Sequence, residues 1–297
     1  MRTTKRFTPT VLERFARQGR GEGTYANYQA WHQVTRGDPS SRGRSHITNF
    51  RERQFDLLSD KEMHSFLFSS MLPNLDDIRV QFPLSLEENS HELAAYDIRY
   101  RSRQPGTLEI AKQLNIRHPI CADKGKSKNW KPTTDLLLTL LKADGSRSLL
   151  AIACKPDRKP PSKRTRQLLD LERTYWLARS VEWLFITPAE YDESTSNTLR
   201  RIQPYCLGEQ MSHQYRQLAR NIALAFHGMS YNTLVSTLAT EIGDTLLAQQ
   251  ALWQAVFYGE LPVDLKRGWR PHLPLDLLTR ADFSALNPVA SRRSAWI

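Results

Sequence analysis

Cysteine is scarce in this chain of 297 residues: Cys121, Cys154 and Cys206 stand far apart and are odd in number. No CxxC spacing offers a zinc site, no even set offers a disulfide framework, and the usage fits a reducing cytoplasm. Long apolar runs are missing as well, and none approaches the roughly 20 residues that span a bilayer. The basic start, Met1 to Arg6, is followed by no apolar segment, so no secretory signal is expected. Internal repeats and low-complexity tracts are absent. Acid is the poorer charge: 31 Asp and Glu stand against 42 Lys and Arg, a formal +11. A polyanion is the natural partner for that surplus, with generic basicity the plain alternative. The length suits one large domain or two ordinary ones, and 40% hydrophobic content is enough for a core.

The most apolar stretch runs from Thr133 to Pro156. It reads as two strands, Thr134–Leu141 and Leu149–Pro156, joined by a polar turn in which Asp144-Gly145 supplies the positive φ a hairpin needs. Runs this apolar suit a sheet covered on both faces. One carries Asp135 near its start and the other ends on Lys155; such charges are costly there unless they meet each other, a metal or a ligand.

Around this pair the pattern predicts a short basic helix over Pro9–Gln18 and a glycine break at 19–23. A basic loop follows over Asp38–His46, then a brief strand over Gln54–Leu58. A helix opens at Ser59-Asp60-Lys61-Glu62 with Met63, Phe66, Leu67 and Met71 on its buried face. Asp76–Leu86 alternates as a strand, at an edge or an irregularity because of Pro83. Ala122–Lys131 reads as a lysine-rich loop. A helix over Thr165–Arg179 and a strand over Val181–Thr187 complete a crossover unit. Beyond Pro188, Asp192–Asn197 reads as a linker. Helices over 214–226, 231–242 and 245–258 and a short hairpin suggest a winged-helix module. The end, Pro288 to Ile297, reads as a flexible tail.

Phosphodiester hydrolysis needs hard oxygen ligands for Mg²⁺, an activated water and positive charge on the phosphorane. An acid strand, a turn and a strand ending in lysine give the arrangement of the PD-(D/E)xK nucleases, here reduced to Thr134-Asp135 and Ala153-Cys154-Lys155. The position two before the lysine, usually acidic or amide, is Ala153; the backbone carbonyl of Cys154 can still serve, and the missing oxygen could come from Glu62 or from water. Each residue has a plainer reading. Ser59-x-x-Glu62 is a capping box, so Glu62 could simply close its helix; Asp135 could pair with Lys131 or cap a turn; Lys155 could snorkel from a strand end.

The chain resembles the TnsA family, the endonuclease subunits of heteromeric transposases in Tns-type cut-and-paste transposons, including CRISPR-associated ones. The residues that carry the resemblance are Gly19-Arg20-Gly21-Glu22-Gly23, Pro39-Ser40-Ser41 with Gly43-Arg44-Ser45-His46, and Leu57-Leu58-Ser59-Asp60-x-Glu62. Further on they are Asp77-Ile78-Arg79-x-Gln81-Phe82-Pro83-Leu84, Ile116-Arg117-His118-Pro119, Thr134-Asp135, Lys155-Pro156 and Leu171-Glu172-Arg173-x-Tyr175-Trp176. The resemblance implies an α/β, restriction-endonuclease-like domain over residues 1–190, followed by a mostly helical, winged-helix-like domain over 191–297. It implies Mg²⁺-dependent cleavage, with Mn²⁺ as substitute, of the non-transferred 5′ strand at transposon ends. Glu62, Asp135 and Lys155 match the family's catalytic residues, and Glu62, Asp135 and the Cys154 carbonyl are the expected metal ligands. The implied partners are double-stranded DNA, a TnsB-type DDE transposase and a TnsC-type AAA+ regulator, in the bacterial cytoplasm. Arg42, Arg44, Lys131 and Lys159 are candidates for the DNA path. The alternative is a non-catalytic DNA-binding assembly factor that keeps the fold but lost chemistry through Ala153.

Overall fold

The computed structural model describes residues 7–36, 38, 44–155 and 160–296. The elements in chain order begin with α1 (Pro9–Arg17), β1 (His46–Phe50), β2 (Arg53–Leu57), α2 (Asp60–Ser70), β3 (Leu75–Pro83), β4 (Asn89–Ser90) and β5 (Arg103–Gln104). Next come α3 (Thr107–Gln113), β6 (Ile120–Asp123), β7 (Lys126–Asn129), β8 (Thr133–Leu141), β9 (Arg147–Cys154), α4 (Lys163–Ala178) and β10 (Glu182–Ile186). The chain closes with α5 (Glu193–Cys206), α6 (His213–Ala225), α7 (Tyr231–Ile242), α8 (Thr245–Phe257) and α9 (Arg280–Leu286). Among the described residues no helix is long and apolar enough to cross a membrane.

The apolar hairpin forms as its sequence predicts. β8 and β9 pair antiparallel at the centre of a four-stranded sheet of order β10-β9-β8-β3. Leu136, Leu137 and Leu138 are fully buried, as a strand covered on both sides requires. β10 runs parallel to β9 after the α4 crossover, and β3 is antiparallel to β8, so the sheet is mixed. β3 is an outer strand, which accommodates Pro83 where the ladder ends. α2 packs across β8 and β9, and the indole of Trp176 on α4 donates to Thr134 Oγ1 at 2.7 Å. Gly21 is needed beside this sheet: its φ is +85°, and a Cβ there would lie 2.2 Å from Pro83 Cγ.

β3 contains an irregularity that matters below. Val80 pairs with Leu136 and Phe82 with Thr134, leaving Gln81 opposite Asp135 with a φ of 48°. The left-handed residue breaks the alternation of the strand, so that the Arg79 guanidinium lies 4.6 Å from the Phe82 ring centre.

Three local expectations are corrected, and two elements are added. The lysine-rich segment is a hairpin, β6 against β7, turned by Lys124 and Gly125 at positive φ. Asp192–Asn197 is no linker: Asp192 caps α5 through Ser194 N at 2.8 Å, and α5 packs on α2, with Gln203 Nε2 donating to Thr48 Oγ1 at 2.8 Å. The strand β1 and the helix α9 arise where no element was read. In place of a flexible tail, the final described residues close the open side of β10. Ala295 N donates to Phe185 O at 2.8 Å, Phe185 N donates to Ser294 Oγ at 3.0 Å, and Trp296 meets Trp183 edge-on. An outer strand with unpaired backbone groups is a standing demand for such a partner.

The predicted helices α6, α7 and α8 are present. After them Val263 and Leu277 form one antiparallel bridge, flanked by Asp264 N on Asp276 O at 2.8 Å and Leu278 N on Pro262 O at 3.1 Å.

Candidate active site

Asp135 sits at the start of β8, where the ladder brings it between Gln81 of β3 and the end of β9. Its Oδ2 accepts the Cys154 backbone N–H at 2.7 Å and its Oδ1 accepts Gln81 Nε2 at 3.2 Å. These bonds fix the carboxylate without involving Lys131, whose ammonium lies 4.9 Å from the centre of the Trp31 ring.

Glu62 reaches the same point from α2. The capping box is real: Glu62 N donates to Ser59 Oγ at 3.2 Å, and the Ser59 hydroxyl donates to Glu62 Oε1 at 3.1 Å. Glu62 Oε2 accepts Leu58 N at 2.9 Å and Gln81 Nε2 at 3.0 Å. The cap and the site are therefore one structure, and closing the helix end is what aims the carboxylate at the sheet. Burial first, and the Asp135 charge second, push the Glu62 carboxyl up to about 8.

Lys155 follows β9 and donates its backbone N–H to Ile186 O at 3.1 Å. Its ammonium is held above the usual lysine value, chiefly by Asp135 and further by Glu172. The Cys154 thiol beside it is pushed up by burial, so it remains a thiol.

Sequence reasoning left two residues out of the site. Gln81 is 2% exposed, and its one amide nitrogen bonds both Glu62 and Asp135. The signal was an amide in an apolar strand two residues before a proline. Glu172 on α4 is the other: it accepts Thr134 Oγ1 at 2.9 Å and Trp183 Nε1 at 3.2 Å, and burial raises it to about 7. An acid on the apolar face formed by Leu168, Leu169, Tyr175 and Trp176 was its signal.

The donor set suits a hard divalent cation. A buried carboxyl, Glu62, and a half-buried one, Asp135, share one N–H₂ group, which supplies the positive edge that a cation would otherwise supply. Among the described residues no group of three or more His, Cys, Asp or Glu gathers, so an ion here would complete its shell with amide, backbone or water oxygens.

The surface candidates are less concentrated. Arg44 is exposed and lies 3.4 Å from Asp60, which also accepts from His46 at 2.8 Å. Lys131 is half-buried, which lowers its ammonium below the usual value. Arg42 and Lys159 lie outside the described residues.

Fold and site define a mixed α/β protein whose central sheet ends in a carboxylate, amide and lysine cluster. Residues 97–188 match the model of the TnsA-like endonuclease N-terminal family, a span that holds Asp135, Lys155 and Glu172. The Transposon Tn7 transposition protein TnsA of Escherichia coli is 30% identical over 186 residues, 62% of this chain and 59% of that protein's length. Over these residues the chain is similar to the TnsA-like endonucleases, and it spans about 59% of the length of Tn7 TnsA.

Proposed function

We propose that this chain is a divalent-metal-dependent DNA endonuclease of a transposition complex, hydrolysing the non-transferred 5′ strand at transposon ends. The observation that carries the reading is the convergence of Glu62 and Asp135 on one buried amide, with Lys155 under the influence of Asp135. The matching region of Tn7 TnsA and the TnsA-like family supports it. In this reading residues 1–190 are a restriction-endonuclease-like domain and residues 191–297 a winged-helix-like module. The module would serve assembly with a TnsB-type transposase and a TnsC-type regulator.

Glu62, Asp135 and the Cys154 carbonyl would hold the ion, Mg²⁺ or Mn²⁺, which supplies Lewis-acid polarisation and charge neutralisation at the phosphoryl group. Lys155 works as a cation, because Asp135 keeps its proton on; Nζ orients the attacking water and faces the charge that develops on a non-bridging oxygen. Asp135 keeps its geometry through Cys154 N, so the acid stays in place as substrate enters. Arg42, Arg44, Lys131 and Lys159 would carry the DNA backbone toward this point.

Ala153 favours a second reading, a DNA-binding assembly factor without chemistry, because a ligand side chain is missing beside Asp135. One assay separates the two: cleavage of each strand of a transposon end, with the TnsB-type partner and Mg²⁺ present. Asp135→Ala and Lys155→Ala are expected to abolish 5′-strand cleavage while transferred-strand cleavage by the partner continues. Undiminished 5′ cleavage by both variants would remove the hydrolytic reading.

A further inference from the structure

We propose that Gln81 is a ligand of the metal site, supplying from β3 the side-chain oxygen that β9 lacks at Ala153. The proposal rests on the hydrolytic reading above. It starts from the ladder. Asp135 stands between two neighbours: on one flank the Ala153–Cys154 end of β9, which offers only backbone, and on the other Gln81. Among the described residues, Gln81 is the side chain hydrogen-bonded to both Glu62 and Asp135, at 3.0 and 3.2 Å.

The backbone there is bent to that end. A left-handed φ in a non-glycine residue is strained and persists where the surroundings enforce it. Gln81 has a φ of 48° in the middle of a strand, and its carbonyl turns away from β8 to accept Trp31 N at 3.3 Å. The alternation is given up at one residue, and that residue's amide ends on the two acids.

The amide can work in both states of the site. With no cation, Nε2 donates to the carboxylates while Oε1 accepts from the Thr133 hydroxyl at 3.3 Å. Half a turn about the last side-chain torsion exchanges the ends. Oε1 then faces the acids and completes a set of hard oxygens, and Nε2 donates to Thr133 Oγ1, which accepts as readily as it donates. Thr133 thus satisfies Gln81 in either orientation, and no bond form is lost from the buried amide when it turns.

The test is calorimetric titration of Mn²⁺ into the full chain, with the unloaded fold of each variant checked by circular dichroism and thermal melting. Gln81→Asn keeps an amide that tolerates positive φ but shortens its reach; it is expected to weaken Mn²⁺ binding at least about tenfold. Gln81→Glu, of equal length and with oxygen at both ends, is expected to bind Mn²⁺ as tightly as the parent or more tightly. Asp135→Ala tests the reading beneath and is expected to abolish binding. Parent-like affinity in Gln81→Asn, with binding lost in Asp135→Ala, would overturn the role of Gln81 alone. Loss of binding in Gln81→Glu, in a variant that still folds, would also overturn it. Parent-like affinity in Asp135→Ala would instead overturn the metal site itself.

Discussion

The carboxylate of Glu62 is held from two sides, by Leu58 N and the Ser59 hydroxyl at its helix end and by the Gln81 amide from the sheet. Its sequence signature, Ser59-x-x-Glu62, is the same whether the acid caps a helix or serves a site, so spacing could not decide. Here one residue both closes the helix end and meets the Gln81 amide that also bonds Asp135. Gln81 was harder to see, because nothing local marks a residue that will take a left-handed backbone in a strand. The pH dependence follows from these residues. Glu62 is raised to about 8 and Glu172 to about 7, so the folded protein keeps protons that the unfolded chain has lost above its ordinary glutamate value of 4.5. Their stabilising contribution is whole below about 4.5 and disappears as pH rises through about 7 and 8. His32 and His64 are lowered to about 4 by burial and act with the opposite sign, in a window that closes near 6.5. Metal-free protein is therefore expected to lose stability from pH 6.5 to 8, by on the order of 1 kcal/mol per pH unit at the steepest. Denaturant unfolding at each pH measures this, and Glu62→Gln is expected to flatten the upper part of the curve. A rise in stability over that range would contradict the buried, protonated acid.

The strands β8 and β9 were legible because their apolar runs and Asp144-Gly145 turn agree with each other. The hairpin of β6 and β7 was not, since lysines and serines fill an exposed two-stranded ribbon whose pairing rests on a turn at Lys124 and Gly125. The linker reading of Asp192–Asn197 failed for a similar reason: Asp, Ser, Thr and Asn favour loops, yet they also favour the first turn of a helix. The chain end shows what tertiary demand adds. Nothing in Ser294-Ala295-Trp296 predicts structure, but β10 offers open backbone and the rings of Trp183 and Phe185. Truncating the chain after Arg293 is expected to lower the melting temperature by several degrees and to promote self-association through the bared strand. Scanning calorimetry with light scattering checks both; an unchanged melting temperature in a monomeric product would show that the edge needs no cover.

One apolar cluster runs from Phe66 and Leu136 around the sheet to Leu199, Cys206 and Phe257 in the helices beyond it. The helices α6 to α8 are thus joined to the sheet region through α5, which packs on both α2 and α8. The formal surplus of +11 favours attraction to a polyanion such as DNA, and Glu62 and Asp135 bring two acids together on the Gln81 amide. In the proposed reading, that meeting point of two acids holds a cation against a phosphate. Anomalous diffraction from crystals of the full chain soaked in Mn²⁺ tests that claim most directly. The account predicts a peak between the carboxylates of Glu62 and Asp135, lost in Asp135→Ala; a parent crystal with no peak there, or with its peak elsewhere, would contradict it.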